Sequence, residues 1–438
     1  MRLGVISMGC DKATVDSERL VGELVGHGAE VVSEVETADV VLVNTCGFID
    51  AAKRESIEAM IGAGELKKQG VVKAVVAVGC LVQRYQKELE AEIPEIDLFL
   101  NFGELHKLAP ELAARGLIQD PIADHPGVRH YFGDDVHVRY LKISEGCDHT
   151  CAFCAIPLMR GKHRSEPLER LVLEAQQLEA QGACEINLVA QDLGHYGRDY
   201  GRGGPTLPDL LRALLEGTSV PWYRLLYVYS AGLTDDLVNL MASEKRIVPY
   251  IDIPIQHASN RMLKRMRRPE RKETIRKKVG WLRDTVPDIA IRTTTIVGFP
   301  GETDEDFAEL REFADEIGFE RLGVFTYSEQ EGTHALQYPD DVPDDVKRER
   351  QEELLDLQRM ISEERLGRYV GRETDVLIES VADPDQDGVT HVGRVMWQAD
   401  DVDGVTTLER GGWAKPGEFV RSRIEECIDY DFRAVALT

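Results

Sequence analysis

Apolar and polar positions follow three different patterns along the chain, and each pattern predicts a different architecture. From residue 1 to about 118, short apolar runs are followed by amphipathic stretches with apolar residues at i, i+3 and i+4. The runs are Leu3–Ser7, Val40–Asn44 and Val75–Val78, and the stretches are Asp16–His27 and Ile49–Lys68. This alternation predicts an α/β domain with a doubly wound parallel sheet, in which ligands bind beyond the carboxyl ends of the strands.

A second region repeats the strand–helix unit six times, after a linker rich in Pro, Asp, Gly and His at Gln119–Gly133. The apolar runs are Tyr140–Ile143, Glu185–Ala190, Arg224–Tyr229, Tyr250–Ile253, Ile291–Val297 and Leu322–Thr326. Helical spacing occurs between them in Leu168–Ala180, Pro208–Leu215, Asp235–Ala242, Asn260–Thr285 and Glu305–Ile317. Six such units predict an open (β/α)6 partial barrel rather than a closed eightfold one, with functional groups at the carboxyl ends of its strands.

A third pattern follows the charged helical segment Asp344–Arg368 and consists of short alternating strands separated by Gly and Asp turns. The strands are Thr374–Ser380, His391–Met396, Gly404–Leu408, Glu418–Ile428 and Phe432–Leu437. Five short strands in succession predict a small OB-like β-barrel. The three patterns divide the chain into predicted domains at 1–118, 133–368 and 369–438.

Composition and charge narrow the class of protein. The 438 residues include eight cysteines, too few for a disulfide framework, and no apolar run approaches the roughly 18 residues of a membrane span. These features predict a cytoplasmic protein with reduced thiols and no membrane partner. The net charge of −26 disfavours a broad grip on phosphates and favours a basic partner, with general adaptation to salt as the alternative. The one strongly basic run, Arg261–Lys278, predicts a solvated helix, with an RNA-facing role as the alternative.

Three cysteines, Cys147, Cys151 and Cys154, lie within eight residues of one another directly after an apolar run. Thiolates spaced in this way on a loop can bind three irons of a [4Fe–4S] cluster and leave one iron without a protein ligand. The alternative is a zinc site with His149 or His163 as the fourth ligand, but the sequence lacks the paired spacings of structural zinc sites. The loop therefore predicts an iron–sulfur site with one open coordination position.

Three further cysteines, Cys10, Cys46 and Cys80, each follow a different predicted strand and have a glycine beside them. Because the carboxyl ends of parallel strands meet at one edge of a sheet, these thiols can converge although they are distant in sequence. They predict a second tri-thiolate cluster, and three unrelated core cysteines are the alternative. The remaining Cys184 and Cys427 are predicted to be plain buried thiols.

The Cys147–Cys154 loop, with Phe153 before its last cysteine, resembles the signature of the radical S-adenosylmethionine (radical SAM) enzymes. The resemblance implies that SAM chelates the open iron through its amino and carboxylate groups. One electron from the cluster then cleaves SAM to a 5′-deoxyadenosyl radical. Phe153 would lie against the adenine, with simple packing beside the cluster as the alternative.

The resemblance also implies that the ends of other barrel strands hold the ribose, methionyl group and adenine of SAM, at Gln191, Gln256, Gly298 and Glu302. The family's Gly-x-Ile-x-Gly-x-x-Glu pattern is only partly met, because Thr294 stands at the first glycine and Glu302 comes one place late. A turn before a helix is the alternative for Gly298–Glu302, and a structural hydrogen-bonding role is the alternative for His257. No catalytic residue beyond the cluster ligands is predicted.

The amino-terminal pattern resembles the methylthiotransferase branch of the radical SAM enzymes in Gly9-Cys10, Val15–Glu18, Asn44–Ile49 and Val78–Leu81. This resemblance spans nearly the whole chain. It implies a transferase that uses SAM and two [4Fe–4S] clusters, with a TRAM-like carboxyl-terminal barrel that recognises the substrate.

The branch contains enzymes that modify a tRNA adenosine and enzymes that modify the β-carbon of an aspartate in ribosomal protein S12. Lys12 resembles the lysine of the protein-modifying group's Gly-Cys-Pro-Lys, although Asp11 replaces the proline. From Gly371 onward 15 acidic residues stand against 7 basic ones, and Asp400, Asp401 and Asp403 cluster in one acidic turn. Together with this acidic barrel, Lys12 favours S12 as the substrate, free or in the small ribosomal subunit, with a flavodoxin or ferredoxin as electron donor. A tRNA adenosine methylthiotransferase is the nearer alternative. A non-catalytic iron–sulfur module for electron transfer or redox sensing is the alternative from another class.

Overall fold

The computed structural model describes residues 1–118, 128–131, 136–383 and 388–437. Within them the chain forms an amino-terminal parallel sheet, a six-stranded parallel sheet and a closed five-stranded barrel, which confirms the predicted fold class. The predicted linker Gln119–Gly133 lies mostly outside the described residues. No helix in the described part of the chain is long and apolar enough to cross a membrane.

The amino-terminal unit is a sheet with the strand order β2-β1-β3-β4-β5, in which all neighbouring strands are parallel. The strands are β1 (Arg2–Ser7), β2 (Glu30–Val32), β3 (Val40–Thr45), β4 (Ala74–Gly79) and β5 (Leu98–Leu100). The helices are α1 (Asp11–Gly26), α2 (Asp50–Lys68), α3 (Cys80–Glu92) and α4 (Leu108–Ala114). The strand order reverses at β1 and β3, so a ligand crevice is expected beyond their carboxyl ends. The sequence pattern missed the two three-residue edge strands and started the first helix at Asp16 instead of Asp11.

The central unit is a parallel sheet with the order β13-β12-β11-β10-β9-β6. Its strands are β6 (Val138–Lys142), β9 (Glu185–Val189), β10 (Trp222–Leu225), β11 (Ile247–Asp252), β12 (Ala290–Val297) and β13 (Arg321–Thr326), and a small hairpin pairs β7 (Ser144–Glu145) with β8 (Arg164–Ser165). The helices are α5 (Ile156–Arg160), α6 (Leu168–Ala180), α7 (Leu207–Gly217), α8 (Asp235–Ser243), α9 (Asn260–Arg265), α10 (Lys272–Thr285) and α11 (Asp304–Ile317).

One predicted helix of the central unit is wrong. The segment Asn260–Thr285 forms two helices, because the chain leaves the helical conformation after α9, where Arg267 has a φ of 57°. Most basic side chains of this segment are exposed or half-buried, as the sequence predicts, but several of them have specific partners or surroundings. Arg268 is fully buried, and Arg261 pairs with Asp306. Acidic partners pair with Arg261, Lys272 and Arg276, and Arg268 is the one buried cation among the basic residues of this segment, which the structure describes throughout.

The carboxyl-terminal unit follows the long helix α12 (Asp344–Gly367) and closes into a barrel with the order β14-β15-β16-β18-β17. Its strands are β14 (Glu373–Val381), β15 (Val389–Val395), β16 (Thr406–Glu409), β17 (Phe419–Ile428) and β18 (Asp431–Ala436). This barrel packs against the amino-terminal end of the central six-stranded sheet, which forms an open half barrel. There Trp222 of β10 contacts Phe419 of β17 edge to face, with ring centroids 4.8 Å apart. The carboxyl ends of the central strands are left for the functional site.

Buried ion pairs join the barrel to the central sheet. Glu185 of β9 accepts hydrogen bonds from Arg224 (2.6 Å) and from Arg394 of the barrel (2.9 Å). Asp403, which belongs to the acidic turns noted in the sequence, is buried and pairs with Arg321 at 3.4 Å. Cys184 and Cys427 are half-buried rather than buried, since both lie near the surface of this junction.

Candidate iron–sulfur and SAM site

The Cys147–Cys154 loop begins just beyond β6 and β7, at the carboxyl ends of the central strands. Gly146 before it has a φ of 77°, and a Cβ there would collide with the Lys162 carbonyl, so the turn requires glycine. The amide of Cys147 donates to the Gly161 carbonyl at 3.0 Å, and the amide of Cys154 donates to the Cys151 carbonyl at 3.2 Å. These hydrogen bonds hold the loop in a compact turn.

The three thiols of this loop lie close enough to affect one another. Burial, together with the charge of Cys151, raises the pKa of Cys147 to about 11. Burial raises the pKa of Cys154 to about 12, with added contributions from Cys151 and Cys147. Thiols crowded in a buried position favour the neutral form unless a cation binds them. The loop therefore suits a metal cluster that takes thiolates.

Two residues that the sequence pattern did not single out contact Cys151. The Tyr229 hydroxyl, after β10, lies 3.3 Å from the Cys151 sulfur. Arg268 Nη1 lies 3.9 Å from the same sulfur, and its Nη2 donates to Glu270 at 3.1 Å. The end of a strand could have drawn attention to Tyr229, whereas Arg268 was one residue among many in a basic run.

The zinc alternative is not supported by the two histidines considered for it. His149 Nε2 pairs with the Asp192 carboxylate at 2.8 Å, and His163 Nε2 lies 3.1 Å from the Ser165 hydroxyl. His149 also stacks on Tyr229 with ring centroids 4.0 Å apart. Both histidines therefore have hydrogen-bond partners other than the cysteines of the loop.

The structure brings Cys10, Cys46 and Cys80 together at the crevice beyond β1, β3 and β4. Cys46 and Cys80 directly follow β3 and β4, and Cys10 comes after β1 with two residues between them. The charge of Cys10 acts on both of the other thiols. A Cβ on Gly9 would lie 3.5 Å from the Cys46 sulfur, so the backbone carrying Cys10 passes close to that thiol. Gly79 has a φ of 102°, and a side chain there would strike Asn44.

Arg160 of α5 faces this second group of thiols from the central unit. Burial raises the pKa of Cys80 to about 11, against the opposing charge and hydrogen bond of Arg160. Arg160 Nη1 also donates to Asp16 and to Glu145, each at 3.0 Å, and its side chain is buried. The second site is therefore completed by a residue from another unit.

The two groups of thiols are neighbours in space. Cys80 packs against Ala155, which directly follows Cys154 in the chain, and against Met159 of the adjoining helix α5. All six cysteines are free thiols, and each group has glycine-dependent backbone and a buried arginine beside it. The residues present therefore fit two thiolate-bound clusters, one in each group.

Three of the residues predicted to bind SAM lie in the cysteine loop or at strand ends, and a contact of these residues with SAM stays a prediction. Phe153 is half-buried and packs in an apolar cluster with Met262, Met266 and Phe299. The amide atoms of Gln191 are buried and have no hydrogen-bond partner among the described residues. Gln256 has a φ of 69° and bridges in parallel to Thr295 beyond the regular strands.

The other two predicted SAM residues belong to a tightly tied turn. Glu302 accepts from the Gly298 amide at 2.8 Å and from Arg350 Nη1 at 2.9 Å. His257 Nδ1 accepts from two backbone amides, and its Nε2 lies 3.5 Å from the Glu302 carboxylate. These contacts give Glu302 and His257 structural partners, so a contact of Glu302 with SAM stays a prediction.

Lys12 lies between the group formed by Cys10, Cys46 and Cys80 and the carboxyl ends of the central strands. Its ammonium lies 3.0 Å from Asp11 and 3.5 Å from the centroid of the Tyr227 ring, and the side chain is buried. Burial lowers the pKa of Lys12, but the charges of Asp11 and Tyr227 outweigh it and raise that pKa. The amide of Tyr227 donates to Asp252 at 3.3 Å, which places this cation at the ends of β10 and β11.

A parallel half barrel with three clustered thiols at its carboxyl end defines a radical SAM enzyme. Accordingly, residues 141–314 match the radical SAM superfamily, residues 370–437 match the TRAM domain, and residues 2–101 match the uncharacterized protein family UPF0004. The radical SAM domain implies a [4Fe–4S] cluster and SAM as cofactors.

More specifically, the chain belongs to the radical SAM methylthiotransferases and, within them, to the family of ribosomal protein uS12 methylthiotransferases. The family member of Myxococcus xanthus is 44% identical, over 99% of this chain and 91% of its own length. The members of Geobacter sulfurreducens and Aquifex aeolicus are each 40% identical over 98% of this chain, and over 97% and 96% of their own lengths.

Solved structures support the fold alone. The radical SAM methyltransferase TsrM of Kitasatospora setae, with a tryptophan substrate and a SAM analogue, matches with a TM-score of 0.56 at 15% identity, over 74% of this chain and 72% of that one. The cobalamin-dependent radical SAM enzyme OxsB matches with a TM-score of 0.52 at 12% identity, over 82% of this chain and 56% of that one.

Proposed function

We propose that this protein adds a methylthio group to the β-carbon of an aspartate in ribosomal protein uS12. The observation that carries the proposal is the packing of Cys80 against Ala155 and Met159, which makes the two thiol groups neighbours. Sulfur held at one group and a radical generated at the other can then reach one substrate carbon. A module that only transfers electrons has no need for a half barrel with open strand ends between two such sites. The substrate is inferred from the named activity of the relatives.

The cofactor set of the proposal is two [4Fe–4S] clusters and SAM. Cys147, Cys151 and Cys154 would bind one cluster, and the other ligands would be Cys10, Cys46 and Cys80. When bound, the first cluster supplies the electron that cleaves SAM and the second supplies the sulfur. SAM would contact Phe153, Gln191, Gln256, Gly298 and Glu302.

Lys12 supports an aspartate rather than an adenosine as the acceptor. A buried cation beside the second thiol group can pair with the carboxylate of a substrate aspartate and present its β-carbon. A neutral adenine offers no charge for this ammonium. We therefore assign Lys12 the role of binding the substrate carboxylate.

The compartment, the electron donor and the roles of the domains follow from the same proposal. A ribosomal substrate, free or in the small subunit, places the protein in the cytoplasm, with a flavodoxin or ferredoxin as electron donor. The domains proposed for the three tasks are 1–118 for the second cluster, 133–368 for the radical chemistry and 369–438 for substrate recognition.

A single incubation tests this function. The reconstituted protein with SAM and dithionite is given purified uS12 or tRNA, and each product is weighed by mass spectrometry. We expect uS12 to gain the mass of one CH2S unit, because the methylthio group replaces a hydrogen, while 5′-deoxyadenosine accumulates. Modified tRNA would instead support the adenosine alternative, and the lack of 5′-deoxyadenosine would support the non-catalytic one.

A further inference from the structure

We propose that Tyr229 and Arg268 set the reduction potential of the cluster bound by Cys151, through hydrogen bonds to the sulfur of that cysteine. This inference rests on the proposed assignment of Cys147, Cys151 and Cys154 as cluster ligands, and it goes beyond the transfer reaction. Tyr229 and Arg268 are positioning residues here, since they act through Cys151.

The geometry of both contacts is that of donors to a thiolate. The Tyr229 hydroxyl lies 3.3 Å from the Cys151 sulfur, and Arg268 Nη1 lies 3.9 Å from it. A cysteine that binds iron carries no proton, so the tyrosine hydroxyl must be the donor of the first hydrogen bond. The guanidinium is always cationic and adds positive charge beside the same sulfur.

The surrounding side chains hold the tyrosine hydroxyl in place. The His149 ring stacks on Tyr229 with centroids 4.0 Å apart and planes 8° apart, and the Arg268 guanidinium carbon lies 3.9 Å from the same ring centroid. Two planar groups this close must cover opposite faces of the ring. The Asp192 carboxylate binds His149 at 2.8 Å and accepts from the Tyr229 amide at 3.3 Å. The ring therefore has little freedom to turn its hydroxyl away from Cys151.

Arg268 is fixed by its own partners. Its side chain is fully buried, and Nη2 donates to the Pro254 carbonyl at 2.7 Å and to Glu270 at 3.1 Å. A buried guanidinium with one carboxylate partner retains an electrostatic effect on the sulfur, because the low-polarity surroundings screen it weakly.

These contacts should affect the one-electron reduction potential of the cluster. Reduction would add a negative charge to the cluster, and the protein would exchange no proton. Donors to a ligand sulfur stabilise the reduced, more negative state and raise the potential. One net hydrogen bond contributes about 1 kcal/mol, equivalent to about a fivefold change in the ratio of reduced to oxidised cluster, or about 40 mV for one electron.

The test is a redox titration of the holoenzyme followed by electron paramagnetic resonance, with the signal of this cluster identified by its response to SAM. Tyr229→Phe keeps the ring and removes the donor, so we expect a potential lower by about 40 mV. Arg268→Met removes a charge and should lower the potential further. Tyr223→Phe is the matched control, because this buried tyrosine of β10 pairs with Thr218 and should leave the potential unchanged.

An unchanged potential in Tyr229→Phe, with normal iron content, overturns the inference. If that variant fails to retain iron, difluorotyrosine at the same position supplies the second test, because a more acidic hydroxyl is a stronger donor and should raise the potential. An unaltered potential there also overturns the inference. Failure of uS12 modification in the wild-type protein would instead contradict the proposed function and leave the measured potentials valid.

Discussion

The two groups of thiols are built in opposite ways. Cys147, Cys151 and Cys154 sit on one loop, and backbone hydrogen bonds within a few residues shape it. Cys10, Cys46 and Cys80 follow three different strands, so their convergence depends on the register of the sheet and on the glycines beside them. A local site can survive small shifts of the fold, whereas a site assembled from three strands requires the sheet to be intact.

The buried arginine beside each group sharpens this contrast. Arg268 acts on Cys151 from the same unit, close to the loop. Arg160 acts on Cys80 from the central unit and also binds Asp16 of the amino-terminal helix α1. The buried arginine of the second site therefore comes from another unit, whereas that of the first site comes from its own unit.

Removing each group of cysteines should have the largest effect. Replacing Cys147, Cys151 and Cys154 by Ala should abolish 5′-deoxyadenosine formation, because SAM would lose the cluster that reduces it. Replacing Cys10, Cys46 and Cys80 by Ala should preserve SAM cleavage and abolish methylthiolation. Iron content should fall by one cluster in each variant. Methylthiolated product from the second variant would contradict the assignment of the strand-end site.

Arg160→Met should weaken the strand-end site and its junction. The substitution removes one of the two cations that bind the buried Asp16 and the half-buried Glu145, and Lys142 remains as the other. Loss of hydrogen bonds to charged groups of this kind typically costs about 1.5–3 kcal/mol. We expect a lower free energy of unfolding in urea and loss of iron from the strand-end site before the loop site. Arg170→Met is the control, because this exposed arginine pairs with Glu166 at the surface, and its loss should change stability by less than about 0.5 kcal/mol. Equal iron loss from both sites would argue against the contrast.

These residues show where sequence reasoning succeeds and where it ends. The periodicity of apolar residues is local, so it predicted all three architectures, and the strand–helix alternation of the first one brought Cys10, Cys46 and Cys80 to one sheet edge. Periodicity could not predict that Arg160 and Arg268 are buried, because the sequence does not distinguish a buried arginine from a solvated one. Asp403 was likewise read with the acidic turns, although it pairs with Arg321 in the junction. Such pairings join distant segments and follow no period.

Lys12→Met should separate the chemistry of the loop site from delivery of the substrate. If Lys12 binds the substrate carboxylate, its loss should slow methylthiolation of uS12 by at least about tenfold. SAM cleavage without substrate should be unchanged, because the loop site does not involve Lys12. A substrate with asparagine at the modified position provides the matched test: it should react more slowly than aspartate with the wild-type protein and equally slowly with Lys12→Met. Unchanged turnover of uS12 would contradict the role of Lys12.

The smallest expected effect is a dependence of stability on pH that arises beside the loop site. His195 stacks on His149 with ring centroids 4.4 Å apart and faces Asp192, His163 and Arg198. Burial lowers its pKa to about 4, although the charge of Asp192 opposes the shift. Between about pH 6.5 and pH 4 the unfolded chain therefore binds a proton that the folded chain excludes, and stability falls as the pH is lowered through this window. Thermal unfolding from pH 7 to pH 5 should show a decline that is shallower in His195→Asn, and identical slopes in the two proteins would show that His195 does not contribute.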